Sequence, residues 1–248
     1  MRKIVCSLFI IAIPIVVMAQ ASGGQIKRNT PKQNTVTSKK PTNHAGISVV
    51  NGHKAVDLGL SVRWATCNVG ASKPEEYGNY YAWGETKPKT DYSWSTYFDI
   101  AKSGIKEGLY GPSWESFEKY NSYEEKRRKL LKEDDVATLK WGASWRTPLK
   151  KEFEELWALP HKWEVVNGIS GMRFTSSNGN TIFLPAAGGK KDLEHVAKGM
   201  AIYWTSEIYL TDHDTSDSGF AWIIDENEGG VAYLNRYQGF SIRPVTDQ

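Results

Sequence analysis

Beyond its first twenty positions, the chain has little cysteine and no long apolar run. Its two cysteines are Cys6 and Cys67, and Cys6 lies inside an apolar leader. Once that leader is removed, Cys67 has no partner, so no intramolecular disulfide can form. No later segment approaches the ~20 apolar residues of a membrane-spanning helix. We therefore expect a mature protein that is stabilised by a hydrophobic core and spans no membrane.

The sequence also lacks the common catalytic and metal-binding motifs. No two histidines have the spacing of zinc ligands, and no Gly-x-Ser-x-Gly segment is present. Glu85 is a candidate general acid, but a single sequence assigns it no partner carboxylate. A lone Cys67 is typical of a thiol that fills core space. These absences predict a protein without enzymatic activity and without a cofactor.

Residues 1–19 have the pattern of a secretory signal peptide. Arg2 and Lys3 precede an apolar run, and cleavage is expected after Ala19, or alternatively after Ala21. Cys6 lies upstream of both positions, which argues against a lipoprotein. We expect a protein exported to the periplasm, the cell surface or the medium.

Residues 20–50 have the composition of a disordered tether. They contain five Lys or Arg residues, no acid and no aromatic residue, with many Thr, Asn, Gln and Pro residues. Such a segment buries too little apolar surface to offset its ordering entropy. The charge balance also changes here, because seven of the 31 Lys and Arg residues and none of the 28 acids precede residue 51. The remainder, residues 51–248, has a net charge of −4, which argues against nucleic acid as a partner. The length of this segment suits a single domain.

Periodicity within residues 51–248 predicts a mixture of strands and short helices. Strands are expected within 55–66 and 75–86, followed by an irregular excursion at about 86–132. One short helix should follow Asp134 or Asp135 and end at Gly142. A second should have Thr147 as its N-cap and Pro148 in its first turn, with an apolar stripe ending at Trp157.

The C-terminal part is predicted to be rich in β-structure. Asn-Gly and Gly punctuation predicts a meander of three strands after residue 160, and then a loop at 188–200. A strand at 201–209 should precede a hairpin whose turn is Glu226–Gly230. A last strand is expected at 239–245, where Pro244 closes it.

Several motifs in this order resemble the Fibrobacter succinogenes major paralogous domain family. They are "VDLGLSVRWATCNVGA", "YGNYYAWGET", "EDDVATLKWGASWRTPLKKEFEEL", "NGNTIFLPAAG", "YWTSE" and "NRYQGFSIRPV". The resemblance covers about residues 55–245. It implies an α+β, C-type-lectin-like fold, in which short helices pack on a mainly antiparallel twisted sheet with long loops. The resemblance also implies bacterial origin and export, but no settled activity.

The broader superfamily includes formylglycine-generating enzymes, in which a Trp-Arg-x-Pro signature before a helix is architectural. Arg146 and Arg243 resemble such framework arginines. The predicted framework residues are Trp64, Trp83, Trp141, Trp145, Arg146, Pro148, Phe153, Trp204 and Arg243. Formylglycine-generating catalysis depends on a late cysteine pair that binds copper, and residues 150–248 contain no cysteine. This difference argues against that activity.

In lectin-like folds the C-terminal half carries the ligand face, so the resemblance suggests a binding site there. Its candidate residues are Tyr209, Asp212, Asp214, Asp217, Asn227, Asn235, Arg236, Tyr237 and Gln238. Aromatic and amide side chains suit carbohydrate, and Tyr and Arg equally suit a protein partner. Calcium at Asp212, Asp214 and Asp217 is a less favoured alternative, because the segment does not match an EF-hand and the triplets of calcium-dependent lectins are missing.

The sequence therefore favours an exported, non-enzymatic module that binds carbohydrate or protein. The alternatives are a degenerate or unusual enzyme of the formylglycine-generating group and a structural surface or adhesin component.

Overall fold

Short strands separated by glycine-rich turns make up most of the structure. The computed structural model describes residues 46–107, 111–121, 127–210 and 217–247. The described residues belong to one compact unit, and the paired strands among them are antiparallel. The described part of the protein is therefore α+β in class but mainly β, with few and short helices. This agrees with the predicted α+β class.

The described strands, in chain order, are β1 (Ile47–Val50), β2 (His53–Val56), β3 (Val62–Ala65), β4 (Trp145–Arg146), β5 (His161–Val166), β6 (Ile169–Thr175), β7 (Thr181–Pro185), β8 (Gly189–Lys191), β9 (Glu194–Val196), β10 (Ala201–Tyr209), β11 (Ser218–Ile224), β12 (Gly229–Asn235) and β13 (Val245–Asp247). The α-helices are α1 (Val136–Trp141) and α2 (Lys150–Trp157). Single 3₁₀ turns occur at Trp94–Thr96, Trp114–Ser116 and Lys132–Asp134.

These strands form four sheets. One has five strands in the order β1-β2-β3-β13-β4, and the meanders β5-β6-β7 and β10-β11-β12 have three strands each. The strands β8 and β9 form a two-stranded ribbon. Strand β13 lies between β3 and β4, so it joins Val62–Ala65 to the segment around Arg146.

Both predicted helices are present, but their starts differ in detail. Asp135 caps α1 by accepting hydrogen bonds from the N–H groups of Ala137 and Thr138. The predicted N-cap role of Thr147 is wrong, because its N–H and hydroxyl both donate to the Asp135 carboxylate, at 2.8 and 2.9 Å. Helix α2 begins three residues later, where Glu152 accepts from the N–H of Leu149 at 2.8 Å.

The structure differs from four of the segments predicted from the sequence. The tether was expected to reach residue 50, but Ile47–Val50 pairs with β2. Residues 75–86 contribute a single bridge at Tyr81, because Gly78 and Gly84 adopt positive φ values of 69° and 80° that interrupt an extended chain. The expected loop at 188–200 contains β8 and β9. The expected strand at 239–245 makes isolated bridges, and β13 follows Pro244 instead of ending there.

The excursion at 86–132 contributes to the core in its described residues. Tyr92, Tyr97 and Phe117 form a buried cluster with Ala82 and Tyr237. Two larger clusters fill the rest of the interior. One centres on Trp83, Trp145 and Trp204, and the other centres on Trp64, Phe153 and Trp222. Tryptophans and tyrosines are thus among the largest fully buried side chains of this interior.

Candidate binding site

The two predicted framework arginines are tied to the protein by hydrogen bonds. Arg146 makes a bidentate pair with Glu152, with Nη1–Oε2 and Nη2–Oε1 distances of 2.9 and 2.7 Å. Fully buried Arg243 donates to Asn68 Oδ1 at 2.8 Å and to the carbonyl oxygens of Thr66 and Phe183, each at 2.9 Å. Arg146 therefore ties β4 to helix α2, and Arg243 satisfies acceptors of three other segments.

The other predicted framework residues are also part of the interior. Trp64, Trp83, Trp141, Trp145, Phe153 and Trp204 are buried. The carbonyl of Pro148 accepts from the Ser206 N–H at 2.8 Å, which joins the start of α2 to β10.

Arg236 and Tyr237 were predicted to contact ligand, and the structure places both in the interior. Arg236 has no exposed surface and pairs with Asp99, while its guanidinium carbon lies 4.1 Å from the ring centroid of Phe117. Tyr237 is buried against Trp94, with ring centroids 4.7 Å apart. The prediction is wrong for these two residues, because the segment after β12 turns inward at Asn235.

The remaining predicted residues do not form one cluster. Asn227 lies in the β11–β12 turn, where its N–H donates to Asp225 Oδ1 at 2.7 Å. Gln238 follows Tyr237 in a tight turn, and its N–H donates to the Asn235 carbonyl at 3.0 Å. Tyr209 and Asn235 lie at the opposite end of the hairpin from Asn227.

The calcium alternative rests partly on residues outside the described part of the chain. Asp212 and Asp214 lie there, and Asp217 accepts a hydrogen bond from the Ser218 hydroxyl at 2.8 Å. Within the described residues, no group of three His, Cys, Asp or Glu side chains is placed to hold a metal ion. Within the same residues, no helix is long and apolar enough to cross a membrane.

An exposed aromatic cluster occupies one end of the β10-β11-β12 sheet. The rings of Tyr209 and Tyr233 stack with centroids 4.4 Å apart and planes inclined by 10°. Phe220 meets Tyr209 edge-on at 5.3 Å. Tyr233 retains 53% of its accessible surface. We call Tyr209, Phe220 and Tyr233 the aromatic platform.

Strand register explains why these three rings meet. Phe220 lies directly opposite Tyr233, and Ser218 lies opposite both Tyr209 and Asn235. Residues opposite one another in antiparallel strands share a face, as do residues two apart along a strand. All three rings and Asn235 therefore lie on one face of the sheet.

Helix α2 covers only part of that face. Phe153 of α2 stacks on Trp222 with centroids 5.8 Å apart, and Trp157 packs near Gly229. The helix begins at Lys150, whose Nζ lies 4.0 Å from the Phe220 centroid. Among the described residues, Tyr233 and Val231 of this face are 53% and 48% exposed, so these side chains remain accessible to a partner.

Sequence reasoning identified Tyr209 and Asn235 but missed Phe220, Tyr233 and Lys150. The sequence signal for Phe220 and Tyr233 was alternation, which places Phe220 with Trp222, and Val231 with Tyr233, on one face of each strand. Counting back from the β11–β12 turn would have paired Phe220 with Tyr233. The alternation could not show that α2 begins at Lys150 and places the Lys150 side chain over Phe220.

A second concave site lies around Glu85. A cavity of about 290 Å³ is lined by residues that include Gly84, Glu85, Lys89, Phe98 and Asp134. Burial raises the pKa of Glu85, while the Lys89 ammonium at 2.7 Å acts in the opposite direction. The Glu85 carboxylate also accepts from the Phe98 N–H at 3.0 Å.

Glu133 and Asp134 also line this cavity, and Asp134 is engaged inside the protein. Asp134 accepts hydrogen bonds from the Tyr120 hydroxyl at 2.6 Å and from the Lys119 ammonium at 3.0 Å. Glu85 and Asp134 thus serve as partners for neighbouring lysines, which is a common structural arrangement for buried acids.

Comparison of the chain with protein-family models, with curated proteins and with solved structures found no match. The function therefore has to be argued from the geometry of the chain itself.

Proposed function

We propose that this protein is an exported, non-enzymatic binding module that recognises carbohydrate through the aromatic platform. The observation that carries the proposal is the half-exposed Tyr233 ring, which is stacked on Tyr209 at an open end of a sheet. Aromatic rings held rigidly by stacking offer a large apolar contact area at a small entropic cost. The C–H face of a sugar ring is a matching partner for such a surface.

Polar groups beside the platform complement this contact. Asn235 lies on the same face as Tyr209 and Tyr233, and its amide can both donate to and accept from sugar hydroxyls. The phenol groups of the two tyrosines add further donors and acceptors. Ligand sites commonly combine an apolar surface with a few polar groups that set orientation.

The proposed fold is C-type-lectin-like, and the platform belongs to the C-terminal half, where lectin-like folds present their ligand face. The mainly antiparallel sheets and short helices are compatible with that proposal. The signal-like leader and the basic tether motivate the proposed export. Binding is favoured over catalysis because Glu85 and Asp134, two of the three carboxylates that line the Glu85 cavity, are already paired with lysines.

A glycan panel with matched variants tests the proposal. Residues 20–248 would be screened against neutral and acidic polysaccharides as wild type, Tyr233→Ala and Phe98→Ala. Phe98 is 40% exposed and lines the Glu85 cavity, so Phe98→Ala removes an exposed ring at the rival site. We expect Tyr233→Ala to weaken binding about tenfold, roughly 1.4 kcal/mol, and Phe98→Ala to leave it unchanged.

The opposite pattern would move the site to the Glu85 cavity. A blank panel would overturn the carbohydrate proposal, and the exposed edge of β12 at Val231 and Tyr233 would then direct the search to protein partners.

A further inference from the structure

Lysine side chains border the aromatic platform at two of its edges. Lys150 begins α2 and holds its ammonium group over Phe220. Lys129 lies opposite Glu207 in an antiparallel bridge that extends the sheet beyond β10. The N–H of Leu130 donates to the Ser206 carbonyl at 2.8 Å, and the N–H of Ile208 donates to the Arg128 carbonyl at 3.1 Å.

This bridge places Lys129 on the face of the platform. Its hydrogen bonds flank the Lys129–Glu207 pair, which is the arrangement in which opposite side chains lie close together on one face. Glu207 precedes Tyr209 by two residues and so shares its face. Ile208, between them, points into the core. Lys129 and Lys150 therefore border the platform on the side of β10 and on the side of α2.

Neither ammonium group is neutralised by an ion pair within the described residues. Glu207 lies between Lys129 and Lys150, because it is the bridge partner of Lys129 and accepts the backbone N–H of Lys150 at 2.6 Å. The acids of the β11–β12 turn begin five residues from Phe220 and from Tyr233, about 17 Å along the strands. Among the described residues, the two edges formed by Lys129 and Lys150 therefore carry two ammonium groups against the carboxylate of Glu207, while Asp217 at the Tyr209 end accepts the Ser218 hydroxyl.

We propose that the ligand of the platform is an acidic polysaccharide, a polymer of uronic acid residues. This inference rests on the proposed function and narrows its ligand class. A sugar ring stacked on Tyr233 directs a ring carboxylate toward the Lys150 ammonium, and a carboxylate further along the polymer pairs with Lys129. Lysine held over an aromatic ring is positioned for such a contact, because its stem packs on the ring and its head stays in water.

Polygalacturonate and its fully methyl-esterified form provide the test. The two polymers have the same sugar and linkage, and only the first carries charge. Binding of residues 20–248 to each would be measured by affinity electrophoresis in EDTA, so that calcium cannot bridge ligand to the segment containing Asp212 and Asp214. The variants are Lys150→Met, Lys150→Arg, Lys151→Met and Tyr233→Ala. Lys151 is the matched control because it is an exposed neighbour in α2 without contact to Phe220.

We expect polygalacturonate to bind at least about fivefold more tightly than its ester, as one or two partly exposed charge pairs allow. Lys150→Met should remove most of this preference, Lys150→Arg and Lys151→Met should retain it, and Tyr233→Ala should weaken binding to both polymers.

Equal binding of the two polymers, with loss in Tyr233→Ala, would overturn the acidic ligand and leave the carbohydrate proposal standing. Equal losses in Lys150→Met and Lys151→Met, without an effect of Tyr233→Ala, would show general charge attraction and would also overturn it. Binding that appears only when calcium replaces EDTA would mean that a metal ion, and not Lys150, binds the carboxylate of the polymer, and would overturn the proposal. Failure of every glycan on the panel would overturn both proposals.

Discussion

Asp99 and Arg236 form an ion pair in the interior of the protein, with Asp99 Oδ2 2.9 Å from Arg236 Nη2 and at most 1% of either side chain exposed. Asp99 also accepts the Lys119 N–H at 2.6 Å. The guanidinium group is enclosed by the rings of Trp83, Tyr97 and Phe117. The pair thus joins the 86–132 excursion to the segment after β12.

Removing one member of this pair should be strongly destabilising. Asp99→Ala leaves the Arg236 charge buried without a counter-ion, and we expect a loss of about 3–5 kcal/mol in the free energy of unfolding. The double variant Asp99→Leu, Arg236→Met removes both charges and should recover most of this loss. Urea denaturation checks both values, and a loss below about 1 kcal/mol in Asp99→Ala would contradict the structural role of the pair.

The same carboxyl group gives a pH dependence with a defined sign. Burial raises the pKa of Asp99 from 3.8 to about 6, although Arg236 opposes the shift. The folded protein therefore keeps this proton at pH values where the unfolded chain has released it. The contribution of Asp99 to the free energy of unfolding is fully present below about pH 3.8, falls as the pH rises, and is lost above about pH 6.

Denaturation of wild type and Asp99→Asn between pH 4 and 7 measures this contribution. The stability difference, wild type minus variant, should decrease from about pH 4 to about pH 6, because the variant lacks the titrating group. A difference that increases over this range would mean that attraction to Arg236 outweighs burial.

The Arg146–Glu152 pair should depend on the shape of the guanidinium group as well as its charge. A lysine ammonium at this position could not form two parallel hydrogen bonds, so we expect Arg146→Lys to cost about 1–2 kcal/mol. Asp247 also contacts Arg146, at 3.0 Å, but its side chain is 84% exposed. Asp247→Asn is the matched control and should change the melting temperature little. Comparable losses in both variants would contradict the bidentate pair as the main contact.

Arg243 should tolerate substitution least. Its guanidinium group satisfies the buried carbonyl groups of Thr66 and Phe183 and the amide of Asn68. Arg243→Met leaves these acceptors unpaired, and we expect a loss of more than about 3 kcal/mol. Arg63→Met, which removes a partly buried arginine bonded to Ser48, is the control. Soluble yield and urea denaturation measure both variants, and equal stability of the two would contradict the framework role.

Local patterns predicted the elements whose determinants lie close together in the sequence. Asp135 caps α1, the stripe through Phe153 and Leu156 faces the core, and the Asn-Gly turn at Asn167 separates β5 from β6. Strand β13 could not be predicted in this way, because its partners are Val62–Trp64 and Trp145–Arg146, far away in the sequence. Pro244 indicated an end to a strand, whereas the long-range pairing places a strand after it.

The candidate site shows the same division between local and long-range determinants. Tyr209 and Asn235 were predicted from composition and position, and Arg236 was predicted to be exposed alongside them. Arg236 is buried because Asp99, 137 residues away in the sequence, supplies its counter-ion. Tyr233 is 53% exposed on the same face of the sheet on which Phe153 of α2 stacks on Trp222.

The sequence by itself determined the alternation within β5, β6, β11 and β12, the turns that join each of these pairs, and the amphipathic stripe of α2. The tertiary structure alone decided which polar and aromatic side chains are buried and which remain on the surface. The physical reason is that alternation assigns a side chain to one of two faces of a sheet. Whether that face meets solvent depends on elements that are distant in the chain and that pack against it only in the folded protein.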